Sequence, residues 1–200
     1  MKTLLLTGFE PFLDFAVNPT KEIVETLNGE MINDYLINGK ILAVDYNESG
    51  EEMVSFIEKV QPDAVLSLGL AAGRHKVTPE RIAINCNASK ENDNEGNTPD
   101  GDPIIAGGPD GVFSTLPIKV LVEGLNNKGY PAEISNTAGT YLCNHVMYQA
   151  IYNFRKLDED VPAGFIHLPA SHELAIQHGN LPSWSQTDLT EAVREMIKVL

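Results

Sequence analysis

The sequence predicts an α/β fold in which helices cover a largely parallel sheet. Short apolar segments bounded by Gly or Pro have the composition of buried strands, and amphipathic helical patterns lie between them. Strands that alternate with helices favour a layered architecture with parallel strands. Because the 200 residues contain neither an internal repeat nor a linker, we expect one domain over residues 1–200.

The strand candidates form two groups. The stronger group comprises residues 3–7, 64–68 and 164–168, and the weaker group comprises residues 41–44, 82–84 and 132–135. Functional residues of α/β sheets usually lie at the carboxyl ends of strands. This rule directs attention to the segments that follow Thr7, Leu68 and Ile166.

Helices are predicted from capping residues and from apolar stripes. Asn18 followed by Pro19 is a strong start signal. The other predicted caps are Asn47 or Ser49 for a helix that reaches about residue 60, and Thr187 or Asp188 for a helix over residues 187–199. Apolar residues at helical spacing predict two more helices, one after Pro117 with Val120, Leu121 and Leu125 inward, and one with Leu142, Val146, Ala150 and Phe154 inward.

Composition argues against nucleic-acid and membrane partners. Lys and Arg total 14 against 28 for Asp and Glu, and the net charge of −14 would repel phosphate backbones. The first apolar run has only about four residues, and no run approaches the roughly twenty that a membrane span needs. Cys86 and Cys143 are expected to be free thiols in a reducing compartment, which favours a cytoplasmic location.

Residues 85–111 are expected to form a long polar loop. They hold six Asn or Asp up to Asn97 and five Gly from Gly96 onward. A loop of this length in a compact domain is usually functional or mobile.

Cys143 is the candidate nucleophile. The segment from Asn136 to His145 runs from a strand, through a small polar turn, into an amphipathic helix, so Cys143 falls in or near the first helical turn. A helix N-terminus would stabilise a thiolate and lower its pKa, and its N–H groups could hold an oxyanion. A small buried hydrophobic role is the alternative. Cys86 lacks a helix start and is expected to be structural.

A nucleophilic cysteine needs a base, usually histidine. His167 ends a buried strand, where active sites form, although a hydrogen-bonded structural histidine is an equal alternative. His145 is a poor partner because residues two apart on a helix point in different directions. Glu80 could orient the imidazole, with a surface pair to Arg81 as its alternative role.

Metal and phosphate sites are not expected. His172 and His178 lie six residues apart rather than the four that the metalloprotease helix needs. The glycine-rich residues 69–74 fit neither the dinucleotide fingerprint nor the P-loop, so they support a phosphate role only weakly. No cofactor is expected.

Several segments that follow one another along nearly the whole chain together carry a resemblance. The strongest are LLTGFEPF at residues 5–12, TPERIAIN at 78–85, DNEGN at 93–97, TAGTYLCNH at 137–145 and GFIHLP at 164–169. In this order they resemble the pyroglutamyl peptidase I family, also called pyrrolidone-carboxylate peptidases. The resemblance implies a three-layer α/β/α sandwich with a largely parallel, mixed and twisted sheet.

The resemblance also implies an activity. It is that of a cysteine exopeptidase, an omega-peptidase that removes an N-terminal pyroglutamyl residue from peptides, with Cys143, His167 and Glu80 as the catalytic set. It implies a homo-oligomer, often a tetramer. The implied ring pocket is apolar with a few polar groups, and it comprises Phe9, Phe12, Asn18, Tyr141 and Leu142. Ordinary core packing for the two Phe and helix capping for Asn18 are the alternatives.

Three positions depart from the family pattern. Leu70 stands where several members have Gln, Lys90 stands where many have an Arg linked with the oxyanion region, and Glu91 replaces an apolar wall residue. Two rival functions remain open. A nucleoside-phosphorylase-like enzyme of similar fold would need a cationic phosphate site and no reactive Cys. A non-catalytic binding protein on the same scaffold would be expected to lack one of the three catalytic residues.

Overall fold

The computed structural model describes residues 1–200. Its helices are α1 (Pro19–Leu27), α2 (Ser49–Val60), α3 (Ile118–Asn127), α4 (Leu142–Leu157), α5 (His172–His178) and α6 (Gln186–Ile197). Its strands are β1 (Lys2–Phe9), β2 (Met31–Ile32), β3 (Tyr35–Leu42), β4 (Ala64–Leu70), β5 (Thr78–Pro79), β6 (Ile82–Ile84), β7 (Asn87–Ala88), β8 (Asp100–Asp102), β9 (Gly111–Phe113), β10 (Ala163–Leu168), β11 (Ala170–Ser171) and β12 (Ser183–Trp184). None of the helices combines the length and apolar character that a membrane crossing requires.

Six strands form the central sheet in the order β2-β3-β1-β4-β10-β5. The four inner strands run parallel, and β2 and β5 pair antiparallel at the two edges. Successive residues of β1 point to opposite faces, so Leu4 and Leu6 pack with α1, α3 and α6, whereas Leu5 packs with α2 and α4. This arrangement is the predicted α/β/α sandwich with a largely parallel, mixed sheet, and the fold prediction is confirmed.

The strand predictions succeed for three of the inner strands of the sheet and for the short strand β6. Residues 3–7, 64–68 and 164–168 all lie within strands, and residues 82–84 coincide with β6. Residues 41–44 only overlap the end of β3, which begins at Tyr35. The prediction for residues 132–135 is wrong. They form only isolated bridges, Ala132 with Val77 and Ser135 with Glu80, because the neighbouring edge strand β5 is two residues long.

The helix predictions are right in extent and partly wrong at the caps. The Asn18 side chain accepts from the Thr20 amide, as predicted for the cap of α1. Helix α2 follows Glu48 with no side-chain cap, and α6 is capped by the Ser185 hydroxyl, which accepts from the Asp188 amide. Val120 is 48% exposed instead of inward, and the short helix α5 was not predicted.

The loop over residues 85–111 is held to the body at several points. It contains β7 and β8, which pair with each other, and leads into β9, which pairs with β6. The buried Asp93 carboxylate accepts from the Tyr46 amide and from the amide and side chain of Asn97. Asn85 bonds to both backbone groups of Ile105. The loop therefore has its own hydrogen-bonded structure next to the start of α4.

Candidate active site

The site lies at the carboxyl ends of β4 and β10, where α4 begins. His167 pairs with Gly69 across these two strands. Cys143 is the second residue of α4. Its Sγ lies 3.0 Å from the position that a Cβ on Gly69 would occupy. Because neighbouring strands are only about 4.8 Å apart, this contact brings the thiol close to the strand that carries His167.

Glu80 follows the edge strand β5 and lies alongside β10. Its amide donates to the Phe165 carbonyl at 2.9 Å, and its fully buried carboxylate lies 2.7 Å from His167 Nδ1 through Oε1. A carboxylate is an acceptor, so Nδ1 carries the imidazole proton and Nε2 is left free to accept one. Arg81 does not pair with Glu80, because its guanidinium donates to Asn136 Oδ1 at 2.7 Å.

Arg74 completes this buried cluster. Its Nη1 lies 2.7 Å from the same Glu80 oxygen and 2.5 Å from Thr78 Oγ1. No function was predicted for Arg74 from the sequence. The available signal was its position shortly after β4, in the glycine-rich segment 69–74, because a charged residue beyond the carboxyl end of a buried strand is a candidate for the site.

The charges of the cluster follow from burial and hydrogen bonding. Burial raises the pKa of Cys143 to about 12, the Glu80 charge adds to this rise, and Arg74 opposes it. Burial also lowers the pKa of His167 despite the carboxylate beside it. Burial acts to raise the pKa of Glu80, but hydrogen bonds from His167, Ser135 and Arg74 outweigh it and the net shift is downward. The resting site therefore holds a neutral thiol, a neutral imidazole and a carboxylate.

The prediction that the helix start lowers the thiol pKa is wrong. The thiol does lie in the first turn of α4, where a helix contributes about half a positive charge. Desolvation in apolar surroundings is the larger effect here and favours the neutral form. Deprotonation of Cys143 consequently depends on a base.

The start of α4 offers unpaired backbone donors. Its N-cap residue, Tyr141, is extended and makes no side-chain cap, so the amides of Leu142 and Cys143 have no helical acceptor. The Asn144 side chain fixes this end of the helix, because it accepts from the Ile84 amide at 2.8 Å and donates to the Ile84 carbonyl at 2.9 Å. A rigid pair of N–H groups next to a thiol can stabilise a negatively charged oxygen.

A small apolar pocket opens beside the thiol. Its empty space, with its mouth included, is about 260 Å³. Seven of its eight lining residues are hydrophobic, and the eight are Phe9, Phe12, Asn18, Val44, Leu70, Tyr141, Leu142 and Cys143. The five residues predicted for the ring pocket are all among them. Val44 is an addition to the predicted lining, and Leu70 lies there as the residue that replaces Gln of several family members.

Asn18 caps α1 and also lines the apolar pocket. Its Oδ1 accepts from the Thr20 amide and hydroxyl, and its Nδ2 donates to the Glu10 carbonyl at 3.0 Å. One Nδ2 hydrogen remains available to the pocket, because an amide nitrogen carries two. Asn18 can therefore donate to a ring carbonyl, whereas its own acceptor oxygen is already occupied.

The three departures from the family pattern lie in two places. Leu70 forms part of the pocket wall. Lys90 and Glu91 instead line a separate cleft with Phe15 and His178, so Glu91 does not form a wall of the apolar pocket. The two regions are joined by Tyr141, whose hydroxyl donates to the Asn92 carbonyl at 2.9 Å.

Two of the remaining histidines have hydrogen-bond partners of their own. His145 Nδ1 lies 3.0 Å from Asn87 Oδ1, and burial lowers the His145 pKa to about 4. His172 Nδ1 lies 2.9 Å from Ser183 Oγ. No group of three His, Cys, Asp or Glu side chains is arranged to hold a metal ion.

Comparison with known proteins gives a consistent result. A family model described as pyroglutamyl peptidase matches residues 1–200. The pyrrolidone-carboxylate peptidase of Oceanobacillus iheyensis is 54% identical, and the match covers 100% of this chain and 100% of that one. The pyrrolidone-carboxylate peptidase of Halalkalibacterium halodurans is also 54% identical, and the match covers 98% of each chain. The solved pyrrolidone carboxyl peptidase from Thermococcus litoralis is 33% identical with a TM-score of 0.96, and the match covers 100% of this chain and 93% of that one.

Fold and relatives together define a cysteine peptidase with an α/β architecture. A mutant pyrrolidone carboxyl peptidase from Pyrococcus furiosus, 39% identical over 98% of this chain and 97% of its own, has a TM-score of 0.95. The chain belongs to the pyroglutamyl peptidase family. The predicted resemblance is thus confirmed, and the relatives support pyroglutamyl peptidase activity.

Proposed function

We propose that the chain hydrolyses the amide bond after an N-terminal pyroglutamyl residue and releases 5-oxoproline from peptides. Cys143 is the nucleophile, His167 is the acid and base, and Glu80 orients the imidazole, all within one catalytic domain over residues 1–200. The observation that carries the proposal is the buried 2.7 Å contact between His167 and Glu80 beside a thiol that lines an apolar pocket.

The proposed first half-reaction starts from the neutral pair. As Cys143 Sγ attacks the pyroglutamyl carbonyl carbon, its proton passes to His167 Nε2. The amides of Leu142 and Cys143 stabilise the negatively charged oxygen of the tetrahedral intermediate. His167 then donates this proton to the leaving amine, the C–N bond breaks, and the shortened peptide departs from a thioester on Cys143.

The second half-reaction returns the enzyme to its starting state. His167 takes a proton from water, the hydroxide attacks the thioester carbon, and the C–S bond breaks. The sulfur recovers the proton from His167, and 5-oxoproline leaves. Glu80 stabilises the imidazolium in both halves without becoming protonated itself.

Specificity follows from the lack of charge in the pocket. A pyroglutamyl ring is neutral, whereas an N-terminal Glu or Gln carries an ammonium group that this apolar pocket would have to desolvate. Asn18 supplies the one polar side chain and can donate to the lactam carbonyl. The same composition disfavours a nucleoside phosphorylase, since no cationic side chain lines the pocket to bind phosphate.

One assay tests the proposal. The pure protein is incubated under reducing conditions with a chromogenic pyroglutamyl amide, beside Cys143→Ser and Cys143→Ala. We expect wild type to release the chromophore and both variants to lose nearly all activity. A silent wild type that still binds pyroglutamyl peptides would support the non-catalytic alternative, and full activity in both variants would exclude Cys143.

We also propose a cytoplasmic location and a homotetramer. Cys86 and Cys143 are both free thiols, which supports a reducing compartment for an enzyme whose nucleophile must stay reduced. The tetramer follows from the family resemblance. Sedimentation equilibrium tests it, and the mass of a single chain at assay concentrations would contradict it.

A further inference from the structure

We propose that Arg74 is a positioning residue of the catalytic set, which holds the buried Glu80 carboxylate in the charged state and orientation that His167 requires. The proposal deepens the proposed function and rests on it for the roles of Glu80 and His167. It assigns to Arg74 an effect on turnover through Glu80, without contact with the substrate.

The geometry at Glu80 depends on two donors that meet at one oxygen. His167 Nδ1 and Arg74 Nη1 each lie 2.7 Å from Oε1, whereas Oε2 is buried and has no hydrogen-bond partner. The carboxylate is fully shielded from water. A buried charge without a charged partner is strongly unfavourable, and loss of Arg74 would remove the one permanently charged partner of Glu80.

Arg74 is itself fixed against the strands of the site. Its Nη1 lies 2.5 Å from Thr78 Oγ1, and Thr78 pairs with His167 across β5 and β10. The guanidinium therefore connects the carboxylate to the strand pair that carries the imidazole. It does not line the apolar pocket, so substrate binding should depend little on it.

The charges around the cluster leave Arg74 as the partner of Glu80. On its outer side Arg74 borders a polar cleft with His75, Lys76 and Glu133. Glu133 is neutralised there by Lys76, whose Nζ lies 2.7 Å from its carboxylate. On the inner side the titratable groups that face Arg74 are those of the proposed catalytic set, Glu80, His167 and Cys143.

Removal of the Arg74 charge should change the pH at which the activity is lost in acid. The guanidinium lowers the pKa of His167 and of Glu80. Without it both groups bind protons at higher pH, and both protonations inactivate a site that needs a neutral imidazole beside a carboxylate. The acid limb of kcat/KM should therefore move to higher pH, whereas a purely structural loss would lower the rate equally at every pH.

The test compares Arg74→Gln and Arg74→Lys with Arg81→Gln. Arg81 is the matched control because it adjoins Glu80 in sequence but bonds Asn136 instead. We expect kcat to fall about 10- to 100-fold in Arg74→Gln, from the loss of a charge-assisted hydrogen bond, with KM nearly unchanged and the acid limb raised. The kcat of Arg74→Lys should lie between the values of Arg74→Gln and wild type, and the kcat of Arg81→Gln should equal that of wild type.

A double-mutant comparison tests whether Arg74 acts through Glu80. In a Glu80→Gln background, Arg74→Gln should lower kcat by less than about twofold, because the carboxylate that Arg74 positions has already been replaced. An equal loss in both backgrounds, an unmoved acid limb or an equal loss in Arg81→Gln would overturn the proposal.

A substrate-free readout separates this proposal from the proposed function. NMR of labelled histidine should show the His167 titration midpoint at higher pH in Arg74→Gln than in wild type, with a weakened Nδ1–H signal. If wild type is silent toward pyroglutamyl amides, this titration still decides the role of Arg74. An unchanged His167 midpoint and Nδ1–H signal would refute it.

Discussion

Gly69 is the position at which the geometry of the site is most sensitive to one added carbon. A Cβ built there would lie 2.6 Å from two ring carbons of Phe165 and 3.0 Å from Cys143 Sγ. Carbon atoms in contact rest about 3.5–4.0 Å apart, so Gly69→Ala requires about 1 Å of movement. Phe165 is fully buried and packs on His167 at 5.0 Å between ring centroids, so its ring cannot retreat without moving the imidazole.

This overlap sets the expected size of the effect. Overpacking of a buried site costs about 1–3 kcal/mol of stability, which a domain of ordinary stability survives. A displacement of about 1 Å between reacting groups can lower turnover about 100-fold. We therefore expect Gly69→Ala to remain folded at 25 °C and to show kcat about 100-fold below wild type. Steady-state kinetics with a chromogenic pyroglutamyl amide and thermal unfolding measure the two effects.

Gly124→Ala is the matched control. Gly124 lies inside α3, and a Cβ there would meet only the Val199 methyl groups, both at 3.9 Å. Alanine in place of a helical glycine should add up to about 1 kcal/mol of stability and leave kcat unchanged. Wild-type kcat in Gly69→Ala would refute the close packing of the thiol against β4.

Three further predictions concern the pocket, the carboxylate and a buried histidine. Leu70→Gln adds a hydrogen-bonding amide to the pocket wall, so KM for pyroglutamyl amides should fall about 2- to 10-fold; a KM that is unchanged or raised contradicts this. Glu80→Gln removes the charge that holds the Nδ1–H tautomer, and kcat should fall at least about 100-fold with the far-UV circular dichroism unchanged. His145 has a folded pKa of about 4 against an ordinary value of 6.5, so its contribution to stability is complete above pH 6.5 and is lost as pH falls, by about 2 kcal/mol between pH 7 and 5. Urea unfolding of wild type and His145→Gln at both pH values should show a loss of stability that is larger in wild type by this amount.

The inner strands were predictable because burial on both faces leaves uninterrupted apolar runs. The strand predicted at residues 41–44 begins later than β3, which starts at Tyr35, because Asn38, Gly39 and Lys40 interrupt the apolar pattern. The structure explains the glycine: a Cβ on Gly39 would lie 2.9 Å from a Val24 methyl, where α1 crosses the strand. A glycine required by a neighbouring helix cannot be distinguished from a turn glycine by local pattern.

The misplaced helix caps have a similar cause. Asn47 is a good capping residue by type, but its amide donates to Asp45 Oδ1 in a turn that precedes α2. Helix α6 begins one residue before the predicted Thr187, because Ser185 reaches the Asp188 amide. Several Ser, Thr, Asp and Asn residues compete at each of these starts, and the angle at which the chain enters the helix decides between them.

The site was predictable to the extent that each group carries a local signal. Cys143 follows a polar turn into a helix, and His167 ends an apolar strand. The contact between Glu80 and His167 joins residues 87 positions apart, so its existence depends on how β5 is placed at the edge of the sheet. Arg74 was missed and the thiol pKa was wrong for the same reason, since both are set by residues that are distant in sequence.

The apolar pocket connects specificity with reactivity. Under the proposed function, walls such as Phe9 and Leu142 disfavour an ammonium group, and burial in the same surroundings raises the pKa of the Cys143 thiol to about 12. A polar pocket would yield a more acidic thiol but would admit charged N-termini. Under the proposed function the chain combines specificity with reactivity. Neutral His167 serves as the base for the Cys143 thiol, and the ion pair of Glu80 with Arg74 lies behind the imidazole. Substitutions that polarise the pocket should therefore speed thiol alkylation while weakening discrimination between pyroglutamyl and glutamyl substrates, and improvement of both together would break this connection.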